Sequence, residues 1–207
     1  MKLASSVTSL SMLTCTVPVF PDGHRAPVQA ATWDHIPAAA MRDLAARLAA
    51  NGYEDWSTAV RNRLVSTRRA GGLEQPNTAQ SIAGVLARSL VERPLFCDLL
   101  AHVPLNLERN VSLGAVRAFK IRAIAATADV SATLCDITPL RPDQAQNVTV
   151  TATVMAGALW QMAAPGTHLR TFYESDPELA HAVVDVEPRL IDILNALING
   201  YALDATG

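Results

Sequence analysis

The histidines, cysteines and carboxylates are the residue types in this chain that could hold a metal ion or carry out catalysis. A metal site usually needs several of them at short, regular spacings, such as two histidines four residues apart on one helix. His102, His168 and His181 lack that spacing, and the three cysteines form no Cys-x-x-Cys pair. Asp129 and Asp136 could share a helix face, but nothing near them in the sequence adds a catalytic group.

Sequence motifs of the common enzyme classes are also missing. The chain contains no Gly-x-Ser-x-Gly nucleophile elbow, Walker loop, Rossmann glycine pattern or His-Glu-x-x-His motif. We therefore expect a protein that is not an enzyme and that carries no metal and no cofactor.

A second group of side chains could bind a small apolar molecule. Four of them are large apolar residues of predicted helices, and the fifth, His102, precedes Pro104, where a kink would free backbone carbonyls. The same residues could instead belong to the core or to an interface, and His102 could be a core or half-exposed histidine. The candidate ligand-binding residues are Phe96, His102, Phe119, Met155 and Trp160.

Arginines form the one basic concentration in the chain, at Arg61, Arg63, Arg68 and Arg69. They could contact phosphates, or they could form the solvated face of a helix. The formal net charge is −2, whereas a free-standing DNA-binding domain is usually basic. The composition therefore gives no support to nucleic-acid binding.

The composition favours an all-α fold. Half of the residues are hydrophobic but only 5% are aromatic, so the apolar volume comes mainly from aliphatic side chains, among which Ala and Leu are good helix formers. The widely spaced cysteines are typical of reduced thiols in a cytoplasmic protein. We therefore expect a cytoplasmic helical protein.

Apolar residues recur at helical spacing from residue 37 onward. Asn51 and Gly52 are expected to end the first helix, because both tolerate the left-handed conformation found after helix ends. Residues 1–34 show no periodicity and are predicted to be irregular or disordered. The predicted helices span residues 37–50, 55–69, 78–91, 94–107, 112–136, 142–163 and 187 to about 200, with a short one over 177–184.

The segment 144–169 contains no Asp, Glu, Lys or Arg and is long enough to span a bilayer. Asn147, Thr151 and Gln161 lie within it, and such polar groups favour a helix buried between protein surfaces over one in lipid. We therefore expect no membrane contact. A second row on this helix, Val150, Val154 and Ala158, makes it apolar on two sides.

Several short motifs occur in an order that resembles one known family. They are residues 83–100 (AGVLARSLVERPLFCDLL), 107–112 (LERNVS), 141–145 (RPDQA), 157–160 (GALW) and 176–181 (DPELAH). Together, over about residues 75–203, they resemble the ligand-binding and dimerisation domain of TetR-type transcriptional regulators.

The resemblance implies a multi-helix all-α domain that binds a small apolar effector and pairs with a second copy of itself. The last two long helices of each subunit would form an intermolecular four-helix bundle, and the preceding helices would enclose the effector pocket. Broad apolar faces with few charges on those two helices agree with a dimer. The expected interface residues are Val148, Ala152, Leu159, Leu190, Leu194, Leu197 and Ile198.

The chain departs from the family at its N-terminal end. A TetR-type regulator begins with a helix-turn-helix, and no such motif is recognisable here, so residues 35–74 are assigned to a helical region of uncertain affiliation and residues 75–207 to the TetR-like domain. We expect a TetR-like regulator whose DNA-binding domain is absent, truncated or diverged. DNA would be a partner only through a cryptic helix-turn-helix or one supplied by another protein. The alternative is a stand-alone dimeric binding module without DNA contact.

Overall fold

The computed structural model describes residues 38–71, 73, 78–103 and 111–204. Within these ranges the fold is all-α, as the composition predicts, with seven α-helices, one 3₁₀ turn at Ala180–Ala182 and no strand. None of these helices is both long and apolar enough to cross a membrane. The helices are α1 (Ala38–Arg69), α2 (Thr78–Val91), α3 (Pro94–His102), α4 (Leu113–Ile137), α5 (Pro142–Ala163), α6 (His168–Ser175) and α7 (Val186–Asp204).

Helix α1 is continuous, so the predicted break at Asn51 and Gly52 is wrong. The side chain of Asn51 accepts a hydrogen bond from Arg122 Nη2 at 2.6 Å. Gly52 lies against the ring of Phe96, and a Cβ atom there would overlap that ring. Both residues therefore serve contacts with other helices, and these contacts override the local signal for a helix end.

The other helix ends follow their local signals where they are described. Helix α5 has the predicted bounds, with Pro142 in its first turn and the backbone N–H of Arg141 donating to Gln144 Oε1 at 3.0 Å. Helix α6 lies between the predicted helices 142–163 and 177–184, where no helix was predicted, and the hydroxyl of Thr167 caps it by accepting from Arg170 N–H. The predicted short helix over 177–184 is wrong, because only the 3₁₀ turn Ala180–Ala182 forms there. The predicted irregular segment 1–34 and the kink at Pro104 lie outside the described residues.

A main core of large side chains joins α1, α2, α5 and α7. Trp56 of α1 is fully buried, and its indole N–H donates to Ser89 Oγ of α2 at 2.9 Å. Around it lie aliphatic residues that are fully buried, and the burial of their apolar surface stabilises the packing of these helices. The largest are Leu64, Ile82, Leu86, Leu90, Leu190 and Leu194.

A smaller alanine cluster joins the N-terminal half of α1 to α3 and α4. Its buried members are Ala45, Ala49, Ala50, Leu99, Val103, Phe119 and Ala123. Tyr53 of α1 packs against both the alanine cluster and the main core. The two clusters therefore share α1, and the region predicted to be of uncertain affiliation packs with the rest of the protein.

Candidate ligand-binding groove

A groove of about 500 Å³ lies between α1, α3, α4 and α5. Its apolar walls include Tyr53, Leu100, Val103, Phe119 and Val154. That volume lies within the range of small-molecule sites in proteins, about 300–1,000 Å³. The groove can thus hold a compact apolar ligand.

Gly157 sets the distance between α3 and α5 at one wall of the groove. A Cβ atom at this position would lie 2.7 Å from the backbone nitrogen of Ala101 and 2.9 Å from the carbonyl carbon of Leu100. The α3 backbone therefore rests directly on α5 where Leu100 and Ala101 line the groove. Any larger residue at position 157 must push α3 outward.

Aromatic rings form the wall on the α1 side. The ring of Tyr53 makes an edge-on contact with Phe96, with centroids 5.1 Å apart, and a tilted contact with Phe119 at 6.0 Å. Lys120 Nζ lies 6.0 Å from the centroid of the Phe119 ring. Tyr53 and Phe119 line the groove, whereas Phe96 is buried behind Tyr53.

Hydroxyl and amide groups line the opposite end, where α4 faces α5. Thr127 and Thr153 donate their hydroxyl protons to backbone carbonyls of their own helices, each at 3.0 Å. The Oε1 atom of Gln146 lies 3.3 Å from Ser131 Oγ. Thr127, Gln146 and Thr153 all line the groove, so this end offers hydrogen-bonding groups to a ligand.

A polar contact at the edge of the groove ties α3 to α5. Gln161 Nε2 donates to a carboxylate oxygen of Asp98 at 3.3 Å. Burial raises the pKa of Asp98, and nearby His102 and the hydrogen bond from Gln161 partly offset that rise. Gln161 lines the groove, and Asp98 stands behind it.

Of the five predicted ligand-binding residues, the structure places Phe119 in the wall of the groove. Met155 and Trp160 pack against the main core, and Phe96 is part of that core. His102 is half-buried near Asp98 and is not part of the lining. The α5 residues that do line the groove include the second apolar row, Val150, Val154 and Ala158. That row is the feature of the sequence from which these lining residues could have been found.

The predicted interface residues lie inside the single subunit. Leu190 and Leu194 are fully buried in the main core, and Leu197 is half-buried against it. Leu190 and Leu194 expose no surface that a second copy could contact, whereas Leu197 keeps part of its surface exposed. The other four, Val148, Ala152, Leu159 and Ile198, are buried in the same core.

The arginines of α1 make contacts within the chain. Arg61 pairs with Asp129 at 3.2 Å, and Arg63 pairs with Glu92 at 2.6 Å. Arg68 donates to the backbone carbonyl of Asp136 at 2.9 Å. Arg61, Arg63 and Arg68, three of the four arginines of the basic concentration, therefore link α1 to α4 and to the end of α2.

A second hollow of about 450 Å³ lies between the first half of α1 and the start of α4. Small residues, including Ala46, Ala50 and Ala118, line it, and Phe119 separates it from the groove because that residue lines both. Arg122 closes one side by bonding to Glu54 and Asn51 of α1.

Comparison with protein families identifies the class of domain. The family model described as the tetracyclin repressor-like C-terminal domain matches residues 50–205, from the middle of α1 to the end of α7. No match was found among curated proteins. Within the described residues, no three His, Cys, Asp or Glu side chains stand close enough together to hold a metal ion.

Proposed function

Because the chain belongs to the family of tetracycline repressor-like C-terminal domains, we propose that it is the effector-binding and dimerising part of a cytoplasmic transcriptional regulator. The observation that carries the proposal is the groove, about 500 Å³ in volume and lined largely by apolar side chains from four helices. Such a groove suits a small apolar effector. The role is regulatory and needs no catalytic group.

The groove is proposed as the effector site because helices from both clusters meet around it. Tyr53 packs against the main core and the alanine cluster, and it also lines the groove. Phe119 lies in the alanine cluster and lines the groove as well. A bound effector would therefore touch residues that hold α1 in place.

Filling the groove tests this site. Ala158 is exposed and lines the groove, so Ala158→Trp should occupy the space and weaken the binding of an apolar fluorescent probe at least tenfold. Ala125→Trp, at an exposed α4 position outside the lining, is the matched control and should bind the probe like the unmodified protein. Equal probe binding by both variants would rule out the groove as the site.

For the dimer, we propose the exposed side of α7 together with Met162 at the C-terminal end of α5, and we assign the exposed row Val150, Val154 and Ala158 of α5 to the groove. The stretch 193–203 of α7 carries no charged residue, although Ala196, Asn199 and Leu203 within it are exposed. On α5, Met162 is 59% exposed. Loss of charge from an exposed face is typical of the centre of a protein–protein interface, and small residues let two helices approach closely.

A charge placed on that face tests the dimer. The unmodified chain should have twice its 22.1 kDa mass in solution. The double variant Ala196→Arg/Asn199→Arg should be a folded monomer, because a dimer would bury the new arginines of both subunits in the interface, where their charges would be neither paired nor solvated. Ala128→Arg, at an exposed position of α4, should remain a dimer. Light scattering gives the masses and circular dichroism confirms the helical content. A dimer formed by the double variant would refute this interface.

The second candidate function is a dimeric binding module without DNA contact. It is favoured by the intramolecular pairing of Arg61, Arg63 and Arg68, which leaves the basic face of α1 engaged with other helices. An electrophoretic mobility shift against the DNA flanking the protein's own gene separates the two candidates. Salt-sensitive, site-specific binding by the purified chain would support the regulator, and no shift would support the module.

A further inference from the structure

The two ends of the groove differ in chemistry. Phe119 and Lys120 line one end, and Thr127 lies seven to eight residues further along α4, which is about 10–12 Å at the helical rise of 1.5 Å per residue. The aromatic end provides apolar surface from Tyr53, Phe119 and Val103. The far end provides the side chains of Thr127, Gln146 and Thr153.

The hydroxyl end offers both kinds of hydrogen-bonding group. Thr127 and Thr153 have given their protons to backbone carbonyls, so each oxygen keeps lone pairs with which it can accept. The Oε1 atom of Gln146 lies 3.3 Å from Ser131 Oγ, and the amide nitrogen of Gln146 donates to no other described residue. A ligand group placed there can therefore donate to the threonines and accept from Gln146.

The same end does not suit a charged group. Thr127 and Thr153 are almost fully buried, at 7% and 2% exposure, and the described lining around them contains no ionisable side chain. Lys120, the one charged residue in the described lining, stands at the other end. An ionised head group at this end would therefore gain no counter-charge for the hydration that it gives up on contact with the threonines.

We propose that the groove takes an elongated apolar molecule with one uncharged head group that both donates and accepts hydrogen bonds, such as a primary carboxamide or an alcohol. The head lies against Thr127, Gln146 and Thr153, and the apolar body extends toward Phe119 and Tyr53. This assignment of ligand class rests on the proposed effector site.

A matched series of eight-carbon probes tests the ligand class: octanamide, 1-octanol, octanoate and octylammonium, titrated calorimetrically into the full chain at pH 7. The two uncharged probes should bind at least fivefold more tightly than the two ions. Thr127→Val and Gln146→Leu should each weaken octanamide binding roughly five- to tenfold, the usual effect of one hydrogen bond. Neither variant should change the affinity for octanoate or octylammonium by more than twofold.

Two further variants separate a lost hydrogen bond from a disturbed fold. Thr127→Ser keeps the hydroxyl and should retain the preference for octanamide. Thr133→Val removes a hydroxyl of the same kind, one that donates to Asp129 O on α4 outside the lining, and should change no affinity. An unaltered melting temperature shows that each variant is folded.

The results distinguish this inference from the proposed effector site. Tighter binding of octanoate or octylammonium, or an undiminished octanamide preference in Thr127→Val, would overturn the ligand class while leaving the groove as the site. Failure of all four probes to bind, together with no effect of Ala158→Trp on probe binding, would overturn both.

Discussion

The main core and the alanine cluster are both apolar, but side chains of different size fill them. In the main core, large residues such as Trp56, Leu86 and Leu194 are fully buried. In the alanine cluster, the methyl groups of Ala45, Ala49 and the other alanines are too short to fill the space between α1, α3 and α4. Hollows of about 500 and 450 Å³ border the cluster, and Phe119 lines both of them.

Because of this difference, we expect the main core to provide most of the stability and the region around the alanine cluster to provide the space for a ligand. Complete filling maximises dispersion contacts and apolar burial, so α2, α5 and α7 hold the protein together. Incomplete filling leaves room for a ligand beside α3 and α4. The same contrast predicts different responses to substitution in the two regions.

The largest expected effect comes from truncation in the main core. Leu194→Ala should lower the free energy of unfolding by about 3–5 kcal/mol, because the well-packed surroundings cannot collapse into the new cavity. Leu99→Ala, in the alanine cluster, should cost less, about 2–3 kcal/mol, because most of its neighbours in the cluster are alanines and fewer contacts are lost with the side chain. Urea denaturation of both variants measures the difference. Equal losses would contradict the contrast in packing.

A smaller effect is expected at the contact between α3 and α5. Gly157→Ala should lower the free energy of unfolding by about 1–3 kcal/mol, since the new methyl group must displace the backbone of α3. It should also change probe affinity, because Leu100 and Ala101 line the groove. Gly114→Ala is the control: a Cβ atom there meets nothing within 4 Å, so stability should stay the same or rise slightly. Thermal unfolding with and without probe measures both outcomes, and a fully stable Gly157→Ala would refute the close approach.

The smallest effect concerns two exposed ion pairs. Arg122→Met, beside the alanine cluster, should cost about 0.5–1 kcal/mol, and Arg63→Met, beside the main core, about 0.2–0.5 kcal/mol, because both pairs are well solvated. We expect the larger value at Arg122 because fewer large side chains support α1 there. Chemical denaturation at neutral pH measures both losses. A larger loss at Arg63 would contradict this order.

The first of these pairs also predicts a pH dependence. The hydrogen bond from Arg122 lowers the pKa of Glu54 in the folded protein below its ordinary value. The resulting stabilisation is therefore present above the ordinary pKa of a glutamate and is lost as the pH falls through the lowered value. Arg122→Met should lose less stability than the unmodified protein between neutral and acidic pH. If the curves of unfolding free energy against pH were parallel for Arg122→Met and the unmodified protein, the pair of Arg122 and Glu54 would contribute nothing to the pH dependence.

Predictions from the sequence succeeded where local signals act without competition. The bounds of α5 follow from Pro142 and the capping residues around it, and its second apolar row lines the groove. The prediction failed at Asn51 and Gly52, where Arg122 and Phe96 impose contacts from distant parts of the chain. Helix α6 was missed because it has only eight residues, none of them buried, and follows Pro165 and Gly166, a pair that usually marks a loop.

The sequence by itself determined the all-α class, the family resemblance and the positions of most helices, because composition, helical spacing and caps act over a few neighbouring residues. Only the tertiary structure decided which apolar faces meet inside one subunit. It placed Leu190 and Leu194 in the main core of the subunit, and Met155 against that core and outside the lining of the groove. Two apolar rows on one helix look alike in sequence, and only the packing of neighbouring helices determines which row is covered and which borders a cavity.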